Sequence, residues 1–253
     1  MKRIMSMLAI MLCLPVWAAE RPTHVFMAGD STMSIKEVKD YPETGWGVPF
    51  SIFFDETVVV DNRAKNGRSS RTFIEEGRWQ AIVDELHKGD YVIIQFGHND
   101  QSKQKKDRYT PPADYRSNLE RFITQTRQAG AEPILMTPVT RRYFSEEGVI
   151  EPTHGVYPDV VRELAKAQKV TFIDMEKVTR EYFTDMGDTQ SRLRFMHIAP
   201  QLHPNYPIGV SDDTHFTHLG AREVAQLVLA ELKALEHPLA GRLRVPDPKH
   251  LKP

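Results

Sequence analysis

The sequence predicts an α/β fold, a three-layer α/β/α sandwich around a parallel five-stranded sheet, on three observations. Five short apolar runs rich in β-branched residues recur along the chain, helical patterns separate them, and polar or turn residues follow each run. In order, the runs are HVFMAG (24–29), TVVVDN (57–62), YVIIQFG (91–97), EPILMTP (132–138) and VTFIDM (170–175). Strands apolar over nearly their whole length suit a sheet covered on both faces.

Helices are expected between them. Residues 78–89 place Ile82 and Leu86 on one stripe before Gly89, and 112–130 space Tyr115, Leu119, Phe122 and Ile123 at helical intervals before Gly130. Segments 159–169 and 217–236 complete the set. Trp46 and Trp79 are expected as packing residues. Residues 143–158 and 183–211 lack periodicity and read as long loops beside a site. The tail from Pro238, proline-rich and of mixed charge, reads as a terminal arm (238–253) after one domain spanning 20–237. A chain of 253 residues can bury a single sizeable core.

The first segment, residues 1–19, has the pattern of a cleaved secretory signal. Lys2 and Arg3 open it, an apolar stretch runs to Leu14, and the small residues Ala18 and Ala19 close it. That stretch is shorter than the roughly 20 residues of a membrane-spanning helix; an uncleaved anchor is the alternative. The expected location is therefore outside the cytoplasm, periplasmic or secreted, without stable membrane association. The single cysteine, Cys13, falls inside this segment, so the mature chain has neither a disulfide framework nor a cysteine metal site. A formal net charge of −1 exerts no general pull toward nucleic acid or anionic membrane. The basic run KQKKDR (103–108) reads as a solvated loop, with a polyanion-binding patch as the alternative.

Chemistry-bearing clusters follow the strands. Gly29, Asp30 and Ser31 follow the first, NRAKNGRSSRTF (62–73) the second and FGHND (96–100) the third, while SDDTHFTHLGA (211–221) opens the last helix. In a parallel sheet, ligands bind beyond the carboxyl ends of the strands, so all four clusters can meet at one edge. Ser31 needs a base to act as a nucleophile. His215 can supply it, and Asp212, three residues earlier, can orient the imidazole. Asp213 is the rival orienter. Attack on an ester carbonyl creates an oxyanion, for which the N–H of Ser31, the N–H of Gly67 and the side-chain amide of Asn99 are candidate donors. Each cluster has a plainer reading: Ser31 as a helix cap, Asn99 in an ordinary turn, Asp212 and His215 at a capped helix start. Four such coincidences in the right order are less economical than one site.

The ordered blocks GDST, NGRSSRTF, GHND and DDTH resemble those of the SGNH hydrolases, the GDSL-type esterases, over about 190 residues. With GWG (45–47), GRW, TPV and the arginine pair 141–142, they resemble most the rhamnogalacturonan acetylesterase branch. The resemblance implies a flavodoxin-like fold, no cofactor, no metal and an acyl-enzyme mechanism. It implies Ser31 as nucleophile, His215 as base, Asp212 as orienter, and Gly67 and Asn99 with Ser31 as the oxyanion hole. Thr32 stands where the wider family often has leucine.

The expected activity is removal of acetyl groups from a plant cell-wall polysaccharide, with pectic rhamnogalacturonan as the leading substrate. Because pectin carries carboxylates and sugars have apolar faces, Arg68, Arg71, Arg142 and Tyr143, together with Arg141, are candidate substrate contacts; structural ion pairs are the competing role for the arginines. The rivals are a broad short-chain esterase or lipase, an acetylxylan esterase, a glycan-binding protein without activity, and a metal-dependent phosphoesterase using Asp30, His98, Asn99, Asp100, Asp212 and His215. The last would require the adjacent His98 and Asp100 to converge.

Overall fold

The computed structural model describes residues 21–244; the expected leader (1–19) and residues 245–253 lie outside the described residues. Five strands, β1 (Thr23–Gly29), β2 (Val58–Asn62), β3 (Tyr91–Gln95), β4 (Glu132–Met136) and β5 (Thr171–Ile173), form a wholly parallel sheet in the order β2-β1-β3-β4-β5. All five expected strands are present.

Strand alternation divides the apolar side chains between two cores. Val25 and Met27 of β1, Ile93 of β3 and Ile134 and Met136 of β4 enter one; Phe26, Ala28, Val92, Ile94 and Leu135 enter the other. The first core is closed by α1 (Gly47–Phe50), α6 (Met175–Ser191) and α7 (His218–Ala234). The second is closed by α2 (Ser70–Glu75), α3 (Arg78–Val83), α4 (Pro112–Gln128) and α5 (Tyr157–Gln168). This is the three-layer α/β/α sandwich. Both Trp46 and Trp79 are fully buried. Each indole N–H finds a glutamine acceptor, Gln95 Oε1 at 2.9 Å and Gln125 Oε1 at 2.7 Å.

Several boundaries differ from the sequence reading. The helix expected over 78–89 stops at Val83. Residues 183–211 are not one long loop. The chain stays helical through Ser191, apart from Gly187 at φ 78°, and then forms a two-stranded antiparallel sheet of β6 (Phe195–Ile198) and β7 (Val210–Phe216). Only 199–209 connects them irregularly. Asp212 and His215 therefore sit on β7 rather than on the opening turn of the last helix, which begins at His218. The start of the proline-rich tail also packs on the body: Leu239 is buried, Phe54 and Leu243 form a β-bridge, and the Arg244 N–H donates to Phe53 C=O at 2.8 Å.

The strand order reverses at β1, which lies between β2 and β3. Successive crossovers leave it in opposite directions, so a crevice opens at its carboxyl end. Ser31 lies two residues beyond that end, in a turn where the N–H groups of Met33 and Ser34 donate to Asp30 C=O at 3.3 and 3.1 Å. Gly45 and Gly47 support this turn. A Cβ on Gly45 would overlap the backbone of Met33 and Ser34, and one on Gly47 would crowd Asn62 and Met33 C=O. Their bare backbones let Trp46 N–H reach Thr32 C=O at 2.9 Å and Gly47 N–H reach Met33 C=O at 3.2 Å.

Gly45→Ala is therefore expected to lower unfolding free energy by roughly 1–3 kcal/mol, the range for overpacking a closed site. Gly241, whose Cβ would meet nothing within 4 Å, provides the control: Gly241→Ala should stay within about 0.5 kcal/mol of the parent. Urea denaturation of both variants decides, and equal stabilities would contradict the close-packing account.

Candidate active site

The backbone brings the four clusters to the β1 edge. Beyond β2, Arg63 N–H donates to Met27 C=O and Lys65 N–H to Gly29 C=O, each at 3.0 Å. This prolongs the pairing with β1 and delivers Asn66 and Gly67 next to Ser31. Gly67 adopts φ 73°, a conformation that favours glycine. The loop after β3 is tied to this segment: Asn99 Nδ2 donates to Arg68 C=O at 3.0 Å, while Asp100 Oδ1 accepts from Ser70 N–H at 2.9 Å and Ser70 Oγ–H at 2.6 Å.

On the opposite side, β7 departs from regular pairing. Phe195 pairs with Phe216 and the next residue, Met196, with Asp212, so 213–215 are extruded as a bulge. Asp212 Oδ1 closes the bulge by accepting from Thr214 N–H at 2.7 Å and His215 N–H at 3.1 Å. Its second oxygen accepts from His215 Nδ1–H at 2.7 Å. With that proton on Nδ1, Nε2 is the acceptor for Ser31 Oγ–H, 2.9 Å away. Desolvation pushes the Asp212 carboxyl upward, but the hydrogen bond and charge of His215 and the two backbone N–H groups outweigh it, and its pKa falls to about 2. The carboxylate thus stays ionised and the histidine tautomer is fixed.

Asp213, the rival orienter, points elsewhere. It accepts from His197 at 2.8 Å and pairs with Arg142 Nε at 3.2 Å.

These segments carry the three expected donors. Among the described residues, neither the Ser31 N–H nor the Gly67 N–H has a hydrogen-bond acceptor, and the Asn99 amide has one N–H in addition to the one on Arg68 C=O. Buried N–H groups rarely go unpaired in folded proteins.

Burial shapes the remaining groups. Asp30, fully buried, is raised by desolvation, against hydrogen bonds from Thr32 N–H and Oγ–H and the charges of His215 and Lys36. Asp100 is pushed up to about 7, chiefly by desolvation. His98 and His154, in contact at 3.2 Å, are both driven well below the ordinary histidine value, first by desolvation. His98 turns to His154 and Asp100 to Ser70, so they do not converge, and among the described residues no three His, Cys, Asp or Glu side chains could hold a metal.

The structure holds three of the four arginines expected as substrate contacts in ion pairs: Arg68 with Glu76 at 2.9 Å, Arg71 with Glu75 at 3.0 Å, and Arg142 with Asp188 at 2.6 Å and with Asp213. Arg142 is only 7 % exposed. Tyr143 remains half-exposed. Sequence reading also missed Lys36. Burial lowers its ammonium while Glu43 opposes, and it donates to Ser31 C=O at 2.5 Å and Asn66 Oδ1 at 2.7 Å, with Glu43 at 2.7 Å. It joins the Ser31 turn to the residue before Gly67. No periodicity surrounds Lys36, so nothing in the sequence marked it as buried.

Comparison with known proteins agrees with this geometry. Residues 27–222 match the model of the GDSL-like lipase/acylhydrolase family. The chain is 44% identical to rhamnogalacturonan acetylesterase RhgT of Bacillus subtilis over 225 residues, covering 88% of this chain and 95% of the relative. It is 38% identical to the probable rhamnogalacturonan acetylesterase YesY of the same organism, covering 85% and 95%. Among solved structures, protein YXIM of Bacillus subtilis superposes with a TM-score of 0.75 at 27% identity, covering 87% of this chain and 58% of that one. The acetylxylan esterase Axe2 of Geobacillus stearothermophilus shares the fold at a TM-score of 0.60 and 19% identity, covering 84% and 94%. With its sheet order, its Ser31–His215–Asp212 contacts and these similarities, the chain belongs to the GDSL-like lipase/acylhydrolase family and is a carboxylic ester hydrolase.

Proposed function

We propose that the protein is an exported serine esterase that removes acetyl groups from a pectic polysaccharide, most specifically rhamnogalacturonan, through an acyl-enzyme on Ser31. The unbroken hydrogen-bond chain from Asp212 through His215 to Ser31 carries the mechanistic reading. Similarity across nearly the full length of a rhamnogalacturonan acetylesterase supports the substrate. Residues 1–19, with their charged start and small-residue end, support export.

Ser31 Oγ attacks the acetyl carbonyl as His215 Nε2 takes its proton. The carbonyl oxygen becomes an oxyanion accepted by the N–H groups of Ser31 and Gly67 and the amide of Asn99. Collapse of the tetrahedral adduct breaks the bond to the sugar oxygen, which leaves with the proton from His215. Water, deprotonated by His215, then attacks the acetyl-serine; acetate departs and Ser31 regains its hydroxyl. Asp212 keeps its charge throughout, holds the ring and stabilises the imidazolium in both halves. Donors already in place when the oxyanion forms need no reorganisation, and each is typically worth about 10²–10³ in turnover.

Ser31→Ala should abolish acetate release from acetylated pectin and from a small chromogenic acetate, and retained turnover would falsify the serine mechanism. Comparing acetylated pectin, xylan and mannan, and acetyl with butyryl esters, separates this reading from an acetylxylan esterase and from a broad lipase. Only the pectic acetylesterase favours the first polymer and loses butyrate sharply.

Asp212→Asn should cut kcat by roughly 10³–10⁴-fold, because an amide cannot fix the required tautomer. It should also lower stability in a pH-dependent way. A carboxyl depressed in the folded state stabilises it above the ordinary aspartate value, and that contribution fades as pH falls toward about 2. The stability gap between parent and variant, from denaturation curves across pH, should therefore be full above about pH 4 and close below it. A gap that widens in acid would contradict this assignment.

For export, mass spectrometry of protein recovered outside the cytoplasm should find Glu20 as the first residue; an intact Met1 would count against cleavage.

A further inference from the structure

Lys36 ends where a lysine is rarely found. Its side chain is 5% exposed, and three acceptors surround the ammonium: Ser31 C=O at 2.5 Å, Asn66 Oδ1 at 2.7 Å and Glu43 Oε1 at 2.7 Å. Three acceptors suit an ammonium, which has three N–H bonds to give. Lysine is almost never this buried without a charged partner, and Glu43 supplies one.

Each acceptor belongs to a different part of the site. Ser31 C=O lies on the turn after β1. Asn66 and Gly67 are the central residues of a second turn, closed by Arg68 N–H donating to Lys65 C=O at 3.3 Å, with Gly67 at φ 73°. Both ends of that turn are anchored, Lys65 N–H on Gly29 C=O and Arg68 C=O by Asn99 Nδ2. Its apex is tied to the Ser31 turn through the Asn66 side chain, whose Oδ1 accepts from Lys36 and from Ser34 Oγ–H. Glu43 is fixed in turn by the chain that follows His215: it forms a β-bridge with Thr217, and Thr44 N–H donates to Phe216 C=O at 2.9 Å.

We infer that Lys36 is a positioning residue for the oxyanion hole: by holding the Asn66 side chain against the Ser31 carbonyl, it fixes the distance between the Ser31 and Gly67 N–H groups. Two donors that share one oxygen must each lie about 2.7–3.1 Å from it, so their separation has little latitude. A charged donor holds Asn66 more firmly than the neutral Ser34 hydroxyl does alone. With all three N–H bonds committed, Lys36 has none left for a substrate. The inference rests on the serine-esterase reading and adds to it the group that sets the spacing of the donors.

The test is a kinetic double-mutant cycle on a small chromogenic acetate, with K36M, N66A and K36M/N66A. K36M and N66A should each lower kcat roughly 10- to 100-fold, since misplacing a group by about 1 Å can cost that much. Values of kcat and kcat/KM should fall together, the signature of an interaction made only in the transition state. The double variant should be no slower than the slower single one, because both substitutions cut the same link. A merely structural ion pair would lower stability and leave the kcat of the folded protein alone.

A folded K36M with the parent's kcat, a rise in KM at unchanged kcat, or losses that multiply in the double variant would each overturn the inference. If circular dichroism shows K36M misfolded, N66A carries the test, because it keeps the pair of Lys36 with Glu43; full kcat in N66A would overturn the inference too. S31A, assayed alongside, keeps the two readings apart. Turnover retained in S31A overturns the serine mechanism and the inference with it, whereas an inactive S31A beside a fully active N66A overturns only the role of Lys36.

Discussion

The hydrogen bond between Ser31 and His215 joins groups 184 residues apart, and most of the architecture serves to keep it short. One partner sits on a turn at the end of β1, the other on a bulge in a small sheet whose Phe195 and Phe216 join the core on one face of the large one. Their relative position depends on the aromatic contacts beneath the bulge, where Phe195 and Phe216 pack at 5.1 Å between ring centroids and Phe183 of α6 meets Phe195 at 4.9 Å. All three rings are fully buried. Aromatic pairs of this kind contribute about 0.5–1.5 kcal/mol beyond burial, and here they also set where the imidazole stands. The Ser31 turn is fixed independently by Gly45, Gly47 and the Trp46–Gln95 hydrogen bond.

Within that frame, charge is distributed sparingly. Burial raises Asp30 and Asp100 and lowers His98 and His154, so desolvation favours the neutral form of each. Asp212 shifts the other way because three N–H donors converge on it. The site thus holds a firm negative charge behind His215 and neutral imidazoles behind Asn99. Lys36 adds a positive charge beside the Ser31–Asn66 junction, with Glu43 balancing it. Under the proposed mechanism, in which an oxyanion and an imidazolium develop, this arrangement favours both, since stronger fields act where water is excluded.

The sequence conveyed the sheet well because each strand is an apolar run ended by turn residues, a local signal that requires no partner. It conveyed which of Ser31, His215 and Asp212 would meet because the blocks that carry them fall where a parallel sheet presents its carboxyl ends. It failed where the determinant was tertiary. Ser211, Asp212, Asp213, Thr214 and His215 carry no strand alternation, because a bulge rather than a regular ladder accommodates them, and so β7 read as the start of a helix. Gly187 interrupts α6 with φ 78°, hiding the helical continuation to Ser191. The pairing of Arg142 depends on Asp188 and Asp213, one lying beyond that interruption and one on the bulge. No local pattern could have distinguished Arg142 from Arg141.

That contrast between adjacent arginines follows from where their carboxylates stand. A guanidinium already engaged by two aspartates would have to break charged contacts before receiving a substrate carboxylate, and removing one partner of a nearly buried pair leaves a costly unpaired charge. Arg142 therefore fixes the β7 bulge to the kinked end of α6 and so steadies the strand that carries His215. Arg141, one residue earlier on the same loop, donates instead to Thr153 Oγ1 and approaches the His98 carbonyl. Two adjacent residues thus make separate attachments, Arg142 to β7 and α6 and Arg141 to Thr153 on the far side of its own loop. A shift of the 137–156 loop would therefore loosen the Arg142 pairs and with them the bulge that carries His215, so the placement of the imidazole depends on this piece of backbone.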